Sequence, residues 1–398
     1  MRISKKVGAI KPSVTLEISA KANALKKEGK DVVAFTAGEP DFNTPEYIIA
    51  EAAKALRDGK TKYTPTAGIP ELKKAIVEKM KRDNGIDCTP ENVVVSTGAK
   101  SSLYHVMCAL IEDGDEVIVP TPGWITYAEQ IALAGGVYVP VKTSQKSGYK
   151  LTIEAFENAI TPKTRAIIIN SPCNPTGAVY TKEELTDIAK IAEKNNLAII
   201  SDEIYEELIF DGEKHYSIAT LTPYASQNTV IINGVSKSYA MTGWRIGYLV
   251  APKEVAKAVS AMQGHTTSNA CTVSQYASVR AISEKSDFAK DMARKFSVRR
   301  NLLINELQKV EGIKFLPPKG AFYVFIDVSA FYGMSYNGKK ITGSVSFADA
   351  LLEELVAVIP GLAFGDDNCI RLSYTVSSAD IKKGIDRISA FLKKLKAN

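Results

Sequence analysis

Short apolar runs rich in Val and Ile recur along the chain: "NVVVST" (92–97), "EVIVP" (116–120), "RAIIIN" (165–170), "LAIISD" (197–202), "TVIING" (229–234) and "IGYLVA" (246–251). Such runs suit strands buried on both faces. Amphipathic segments lie between them. In "TKEELTDIAKIAEKNN" (181–196), Leu185, Ile188, Ala189 and Ala192 fall on one helical face, and Thr181 with Glu184 forms a T-x-x-E capping box. In "PELKKAIVEKMKRDNG" (70–85), the same face carries Leu72, Ala75, Ile76, Lys79 and Met80, and Pro70 suits a helix start. Strand–helix alternation of this kind predicts an α/β fold: a mainly parallel mixed sheet flanked by helices.

The pattern changes after about residue 282. A long charged helix, "DFAKDMARKFSVRRNLLINELQKV", precedes "GAFYVFIDVS", "SFADALLEELVAVIPG", a strand "CIRLSYTV" and a closing helix striped by Ile381, Ile385, Ile388, Leu392 and Leu395. These elements predict a smaller α+β domain over 282–398, completed by an N-terminal segment over 1–45, with the large domain over 46–281.

Composition narrows the class. A chain of 398 residues with 45% hydrophobic and 24% charged residues is an ordinary globular sequence, too long for one small core. The net charge of +6 is modest, and opposite charges are interspersed, which argues against a nucleic-acid partner. Cys88, Cys108, Cys173, Cys271 and Cys369 are scattered, with no C-x-x-C pair, so neither a zinc site nor a disulfide framework is expected. The N-terminus has no apolar segment long enough for a signal peptide or membrane span, and a cytoplasmic setting is expected.

In an open parallel sheet, ligands gather at the carboxyl ends of the strands. "NVVVST" runs into Gly98-Ala99-Lys100 and then a helix, whose first N–H groups make an anion site. There is no G-x-G-x-x-G or Walker pattern, which opposes a dinucleotide or a nucleoside triphosphate. "RAIIIN" ends in a turn presenting Asn174, "LAIISD" in Asp202 followed by Tyr205, and "TVIING" in Ser236 and Lys237. Each has an ordinary reading as a turn, a cap or a surface lysine. Together they suit one cofactor, pyridoxal 5′-phosphate. Its aldehyde needs a primary amine, its pyridine nitrogen a carboxylate, its phosphate N–H groups and a cation, and its ring oxygen hydrogen-bond partners.

The stretch "GVSKSYAMTGWRIGY" (234–248) resembles the cofactor-attachment signature of the class I/II pyridoxal-phosphate-dependent aminotransferases. "TAGEPDF" (36–42), "KYTPTAGIPEL" (62–72), "SPCNPTG" (171–177), "SDEIY" (201–205), "GAFY" (320–323) and "IRLSY" (370–374) match the same family in order and spacing. The subgroup most resembled is that of bacterial-type aspartate aminotransferases, which implies PLP fold type I and a homodimer. The resemblance implies Lys237 as the lysine of the internal aldimine and proton carrier, Asp202 beneath the pyridine nitrogen, and Tyr205 and Asn174 on the ring oxygen. It places Trp124 against the ring and the phosphate on Gly98, Ala99 and Lys100 with Arg245 and Ser236. Tyr63 would reach the neighbouring subunit's phosphate. Where the family often has a second hydroxyl before Ser236, this chain has Gly234. Arg371 would clamp the substrate α-carboxylate, and Gly38 would let the backbone approach the substrate.

For the distal carboxylate, the subgroup's lysine position is filled by Lys100; Thr15, His265 and Thr267 are weaker candidates for the same pocket. No metal is expected. The reaction implied is L-aspartate plus 2-oxoglutarate giving oxaloacetate and L-glutamate, by ping-pong exchange. The alternatives are an aromatic, prephenate or broader-specificity aminotransferase, a carbon–sulfur lyase on the same fold, and a non-catalytic cofactor-sensing module.

Overall fold

The computed structural model describes residues 1–10, 14–284 and 286–397. Its main sheet has seven strands: β1 (Val93–Ser96), β2 (Glu116–Thr121), β3 (Val137–Lys142), β4 (Thr164–Asn170), β5 (Ala198–Asp202), β6 (Thr229–Gly234) and β7 (Gly247–Val250). They lie in the order β1-β7-β6-β5-β4-β2-β3. Only β7 runs against the others, pairing antiparallel with both β1 and β6. The loop from β6 to β7 holds no crossover helix, so the chain turns back and pairs antiparallel with the strand it has left.

Side chains alternate between two helical layers, as a doubly covered sheet requires. Val93, Val95, Ile231, Tyr248 and Val250 pack with apolar residues of helices Glu46–Arg57, Pro70–Asn84 and Thr272–Ser283. Val94, Val230, Ile232 and Leu249 face helices Ala99–Leu110, Thr126–Ala134 and Lys253–Thr266. The helix at Lys182–Lys194 starts on the expected box: the Thr181 N–H donates to Glu184 Oε2 (2.8 Å) and the Glu184 N–H to Thr181 Oγ1 (3.2 Å).

The six apolar runs all become strands of this sheet. Strand β3 is an addition that the runs did not mark. It lies at the sheet edge with most of its side chains half-buried or exposed, and Pro140 interrupts its apolar alternation.

A second, antiparallel sheet has strands β8 (Lys314–Phe315), β9 (Tyr323–Asp327), β10 (Ile359–Pro360) and β11 (Cys369–Ser373), in the order β10-β11-β9-β8. Helices Phe288–Leu307 and Ser378–Lys394 close its core through Phe296, Leu303, Ile381, Ile385 and Phe391. The N-terminal part of the chain joins it. Val33–Ala34 pairs parallel with Val356–Ala357, and the Phe35 carbonyl accepts from the Ser373 N–H at 2.9 Å. That pairing carries residues 36–38 past Arg371 and over the end of the main sheet.

Candidate active site

Strands β1, β2, β4, β5 and β6 end at one edge of the sheet, where Gly98, Trp124, Asn174, Asp202 and Lys237 follow or close them. The β6–β7 loop returns to the same edge through Arg245, just before Gly247. The small sheet supplies the far wall with Tyr323 and Arg371.

Asp202 is 3% exposed. The Tyr127 hydroxyl donates to its Oδ2 at 2.6 Å, and the Ile204 N–H reaches Oδ1 at 3.3 Å. Burial pushes its carboxyl up to about 6, although both hydrogen bonds pull the other way. A carboxylate held at such a cost, with only neutral donors, suits a cationic ring nitrogen above it.

Lys237 is half-buried, and its amine donates to the Gly38 carbonyl at 2.6 Å. Desolvation lowers its pKa to about 8; Arg245 and Arg371 add to the fall, and Glu39 and Asp202 oppose it. A sizeable share of this amine is neutral near physiological pH, as attack on a carbonyl requires.

The anion end is built by close approach. Gly98 caps helix Ala99–Leu110 at φ 81°, and a Cβ there would lie 2.4 Å from Arg245 Nη2. The guanidinium therefore sits directly against the helix start, where the first N–H groups have no intrahelical acceptor. Gly247 is equally constrained, since its Cβ would lie 2.1 Å from the Ala99 nitrogen. Gly234 pairs with Gly247 across β6 and β7, and a Cβ there would meet the Ile246 carbonyl oxygen at 2.9 Å. Close packing of the two strands thus leaves no room for the hydroxyl side chain that the family often carries at this position. Ser236 is buried two residues on. Lys100 places its ammonium 4.9 Å from the Trp124 ring centroid, and Trp124 meets Tyr127 edge-on at 5.5 Å. Desolvation and the neighbouring Arg245 both lower the Lys100 pKa.

Arg371 is 3% exposed. Its Nη1 donates to Asn174 Oδ1 and its Nη2 to the Thr36 carbonyl, both at 3.0 Å, and its buried Nε has no partner. The guanidinium lies 4.3 Å from the Tyr323 ring centroid and 5.0 Å from that of Phe364. No carboxylate among the described residues forms an ion pair with it. A buried cation held by neutral groups, with one N–H still to satisfy, suits an anion brought by a ligand.

The features that a bound pyridoxal phosphate needs are therefore all present: an amine, a buried carboxylate, a helix start with a cation, and a ring-stacking wall. The family model for aminotransferase class I and II matches residues 30–388. The chain belongs to that family. The aspartate aminotransferase of Bacillus sp. strain YM-2 is 46% identical to this aminotransferase over 395 residues, covering 98% of this chain and 99% of the relative. The probable aspartate/prephenate aminotransferase of Aquifex aeolicus is 43% identical, with 99% of each chain covered. Among solved structures, the aspartate aminotransferase of Rhizobium meliloti superposes with a TM-score of 0.95 at 40% identity, over 100% of both chains.

Other predicted positions of the aminotransferase fall outside this cluster. Tyr63 is 91% exposed on a segment pinned by Thr272 Oγ1 to the Lys62 carbonyl (2.8 Å) and by Gln275 Nε2 to Thr64 Oγ1 (3.1 Å). His265 and Thr267 are exposed at the end of helix Lys253–Thr266, and Thr15 is half-buried in helix Val14–Lys27. Two residues at the site escaped the sequence reading. Tyr127 bonds Asp202, and its signal was the i, i+3 spacing from Trp124. Tyr323 bonds Tyr205, Oη to Oη at 3.0 Å, and stood inside the quoted "GAFY" without a role.

Proposed function

We propose that this aminotransferase binds pyridoxal 5′-phosphate on Lys237 and exchanges the amino group of L-aspartate with 2-oxoglutarate, giving oxaloacetate and L-glutamate. The observation that carries the reading is the buried Arg371 of the small sheet, poised for a carboxylate and facing the main-sheet edge that carries a lysine lowered to about 8. When bound, the cofactor supplies an aldehyde that takes up an amino group and a protonated ring that accepts the electron pair left on the substrate carbon.

The protein's own groups do the rest. Asp202 keeps the proton on the ring nitrogen. Tyr205 donates to the ring oxygen; burial holds its own pKa well above the ordinary value, so it stays a neutral donor. Asn174 gives its Oδ1 to Arg371, which leaves Nδ2 for the ring oxygen. Arg371 fixes the substrate α-carboxylate, Gly38 passes beside it, and Trp124 stacks on the ring. With the substrate so fixed, the Lys237 amine, once freed, takes the proton from the substrate Cα. Arg245, Ser236 and the N–H groups after Gly98 hold the phosphate. Lys100, beside Trp124, receives the distal carboxylate.

Tyr63 supports a homodimer in this reading: an exposed aromatic on a pinned segment would reach the phosphate of the neighbouring subunit. Relatives named aspartate/prephenate aminotransferase, at 43% identity, favour prephenate as a second acceptor.

The purified protein should be yellow, and borohydride should fix the cofactor on the peptide containing Lys237. A label on another lysine would overturn the assignment. A panel of amino donors against 2-oxoglutarate should rank aspartate first. If Lys100 reads the distal carboxylate, Lys100→Ala raises KM for aspartate far more than for alanine or phenylalanine.

A further inference from the structure

Tyr323 is 1% exposed and lies on β9, in register with Ser373 of β11; two residues on, Phe325 is in register with Arg371. Alternate residues share a sheet face, so Tyr323 sits diagonal to Arg371, within reach of a long side chain. The guanidinium covers its ring at 4.3 Å. The other end of the same side chain reaches across to Tyr205, with the hydroxyls 3.0 Å apart and the rings edge-on at 5.9 Å. Tyr323 thus touches both the arginine of the small sheet and the tyrosine of the main-sheet edge.

Packing alone does not call for the hydroxyl, since phenylalanine would fill the same volume. The 3.0 Å contact uses one of the two hydroxyl protons, and either oxygen can be the donor. If Tyr205 gives its proton to a ligand, Tyr323 must be the donor between them. Donation into Tyr205 polarises its O–H and strengthens the bond that it makes onward.

We propose that Tyr323 is a positioning residue: its hydroxyl donates to Tyr205 and so directs the Tyr205 proton onto the cofactor's ring oxygen, while its ring face holds Arg371 for the substrate carboxylate. This rests on the function proposed above. A stronger bond from Tyr205 stabilises charge on the ring oxygen. The proton that this oxygen shares with the Lys237 nitrogen then leaves at lower pH.

The test is the pH titration of the bound cofactor's visible absorption, together with steady-state kinetics on the holoenzyme. Tyr323→Phe keeps the ring and removes the hydroxyl. The absorption midpoint should rise by roughly half a unit, the size expected for losing one cooperative bond, with KM for aspartate within about twofold of wild type. Tyr323→Leu also removes the ring face; KM should rise about tenfold, in line with a desolvated cation–π contact, on top of the same midpoint shift. An unmoved or lowered midpoint in Tyr323→Phe overturns the proposal while leaving the cofactor reading intact. Equal KM values in the two variants overturn the role given to the ring face. A wild-type protein with no visible band overturns the cofactor reading and this proposal together.

Discussion

Two buried cations in this molecule are treated in opposite ways. Lys79, 5% exposed on the inner face of helix Pro70–Asn84, is ion-paired with Glu206 and donates to Asn84 Oδ1 at 2.7 Å. Glu206 in turn accepts from Asn84 Nδ2 (2.6 Å) and Asn233 Nδ2 (2.7 Å). Burial by itself would push the lysine down and the carboxyl up; their mutual attraction more than reverses both shifts. Arg371 is as deeply buried and has only neutral acceptors. The difference separates structure from function. Charges that complete one another inside the chain specify the fold, and a charge left incomplete waits for a ligand. Glu203, Glu206 and His215 make the same point, since their ligand atoms lie within 4.8 Å of one another, as for a metal. Yet Ser201 and Ser217 already donate to Glu203, and Glu206 is bonded as described. That cluster belongs with Lys79.

The largest effect should come from breaking the completed pair. Lys79→Met leaves the Glu206 carboxylate buried without a counter-charge and should cost about 3–5 kcal/mol of stability. Denaturant unfolding at fixed protein concentration measures it. Arg371→Leu removes a charge that nothing inside the protein neutralises, and should change stability by about 1 kcal/mol or less in the same experiment. Similar losses in the two variants would erase the distinction.

Kinetics should rank them the other way. If Arg371 holds the substrate carboxylate as proposed, Arg371→Leu leaves that carboxylate in a dry site with no fork to meet it, and kcat/KM for aspartate should fall about 10²–10³-fold. Arg371→Lys should recover only part of that loss, because a point charge does not reproduce the bidentate geometry. Lys79→Met, assayed where it is still folded, should leave KM within about threefold of wild type.

How far these roles were legible in the sequence follows from what local pattern can carry. Strands covered on both faces announce themselves as Val/Ile runs, and β1, β2 and β4 to β7 are all of that kind, β1 even at a sheet edge; β3 is not, because most of its side chains are left half-buried or exposed and Pro140 breaks the run. Lys79 was legible as a member of the buried helical face. Its partner Glu206 lies 127 residues away, and no local pattern encodes that pairing. The same holds for Lys237 against Gly38, 199 residues apart. Lys237, Asp202 and Arg371 stand out in the sequence because their motifs keep order and spacing. Tyr127 and Tyr323 were passed over because a buried tyrosine looks like core until its hydroxyl is traced to a partner.

Smaller, and of opposite sign at its two ends, is the pH response. Asp202 has a folded pKa of about 6 against an ordinary 3.8, so the folded state binds the extra proton between these values. Stability of the cofactor-free protein should therefore fall as pH rises from about 4 to 6, by roughly 2–3 kcal/mol from this group. Glu206 is held below its ordinary value of 4.5, and its contribution is lost as pH falls through its folded pKa, below 4.5. Asp202→Asn should reduce the slope between pH 4 and 6 to the part that Glu207, also raised by burial, contributes, and leave the acid limb unchanged. A slope undiminished in that variant would show that the Asp202 carboxylate is not the group being penalised.

The smallest change asks what keeps Asp202 ionised at all. Lys79 and Glu206 satisfy each other with full charges, whereas Asp202 accepts only from the Tyr127 hydroxyl and one backbone N–H. Tyr127 is buried, so Tyr127→Phe removes the hydroxyl and leaves the ring in place. A hydrogen bond to a charged group contributes about 1.5 kcal/mol, which corresponds to about one pKa unit. In the cofactor-free protein, the upper end of the Asp202 stability slope should therefore move from near pH 6 toward 7. Unfolding measured at half-unit pH steps resolves a shift of that size. If the slope stays where it is, the backbone N–H and the nearby Lys237 are enough to hold the charge, and Tyr127 serves only to pack against Trp124.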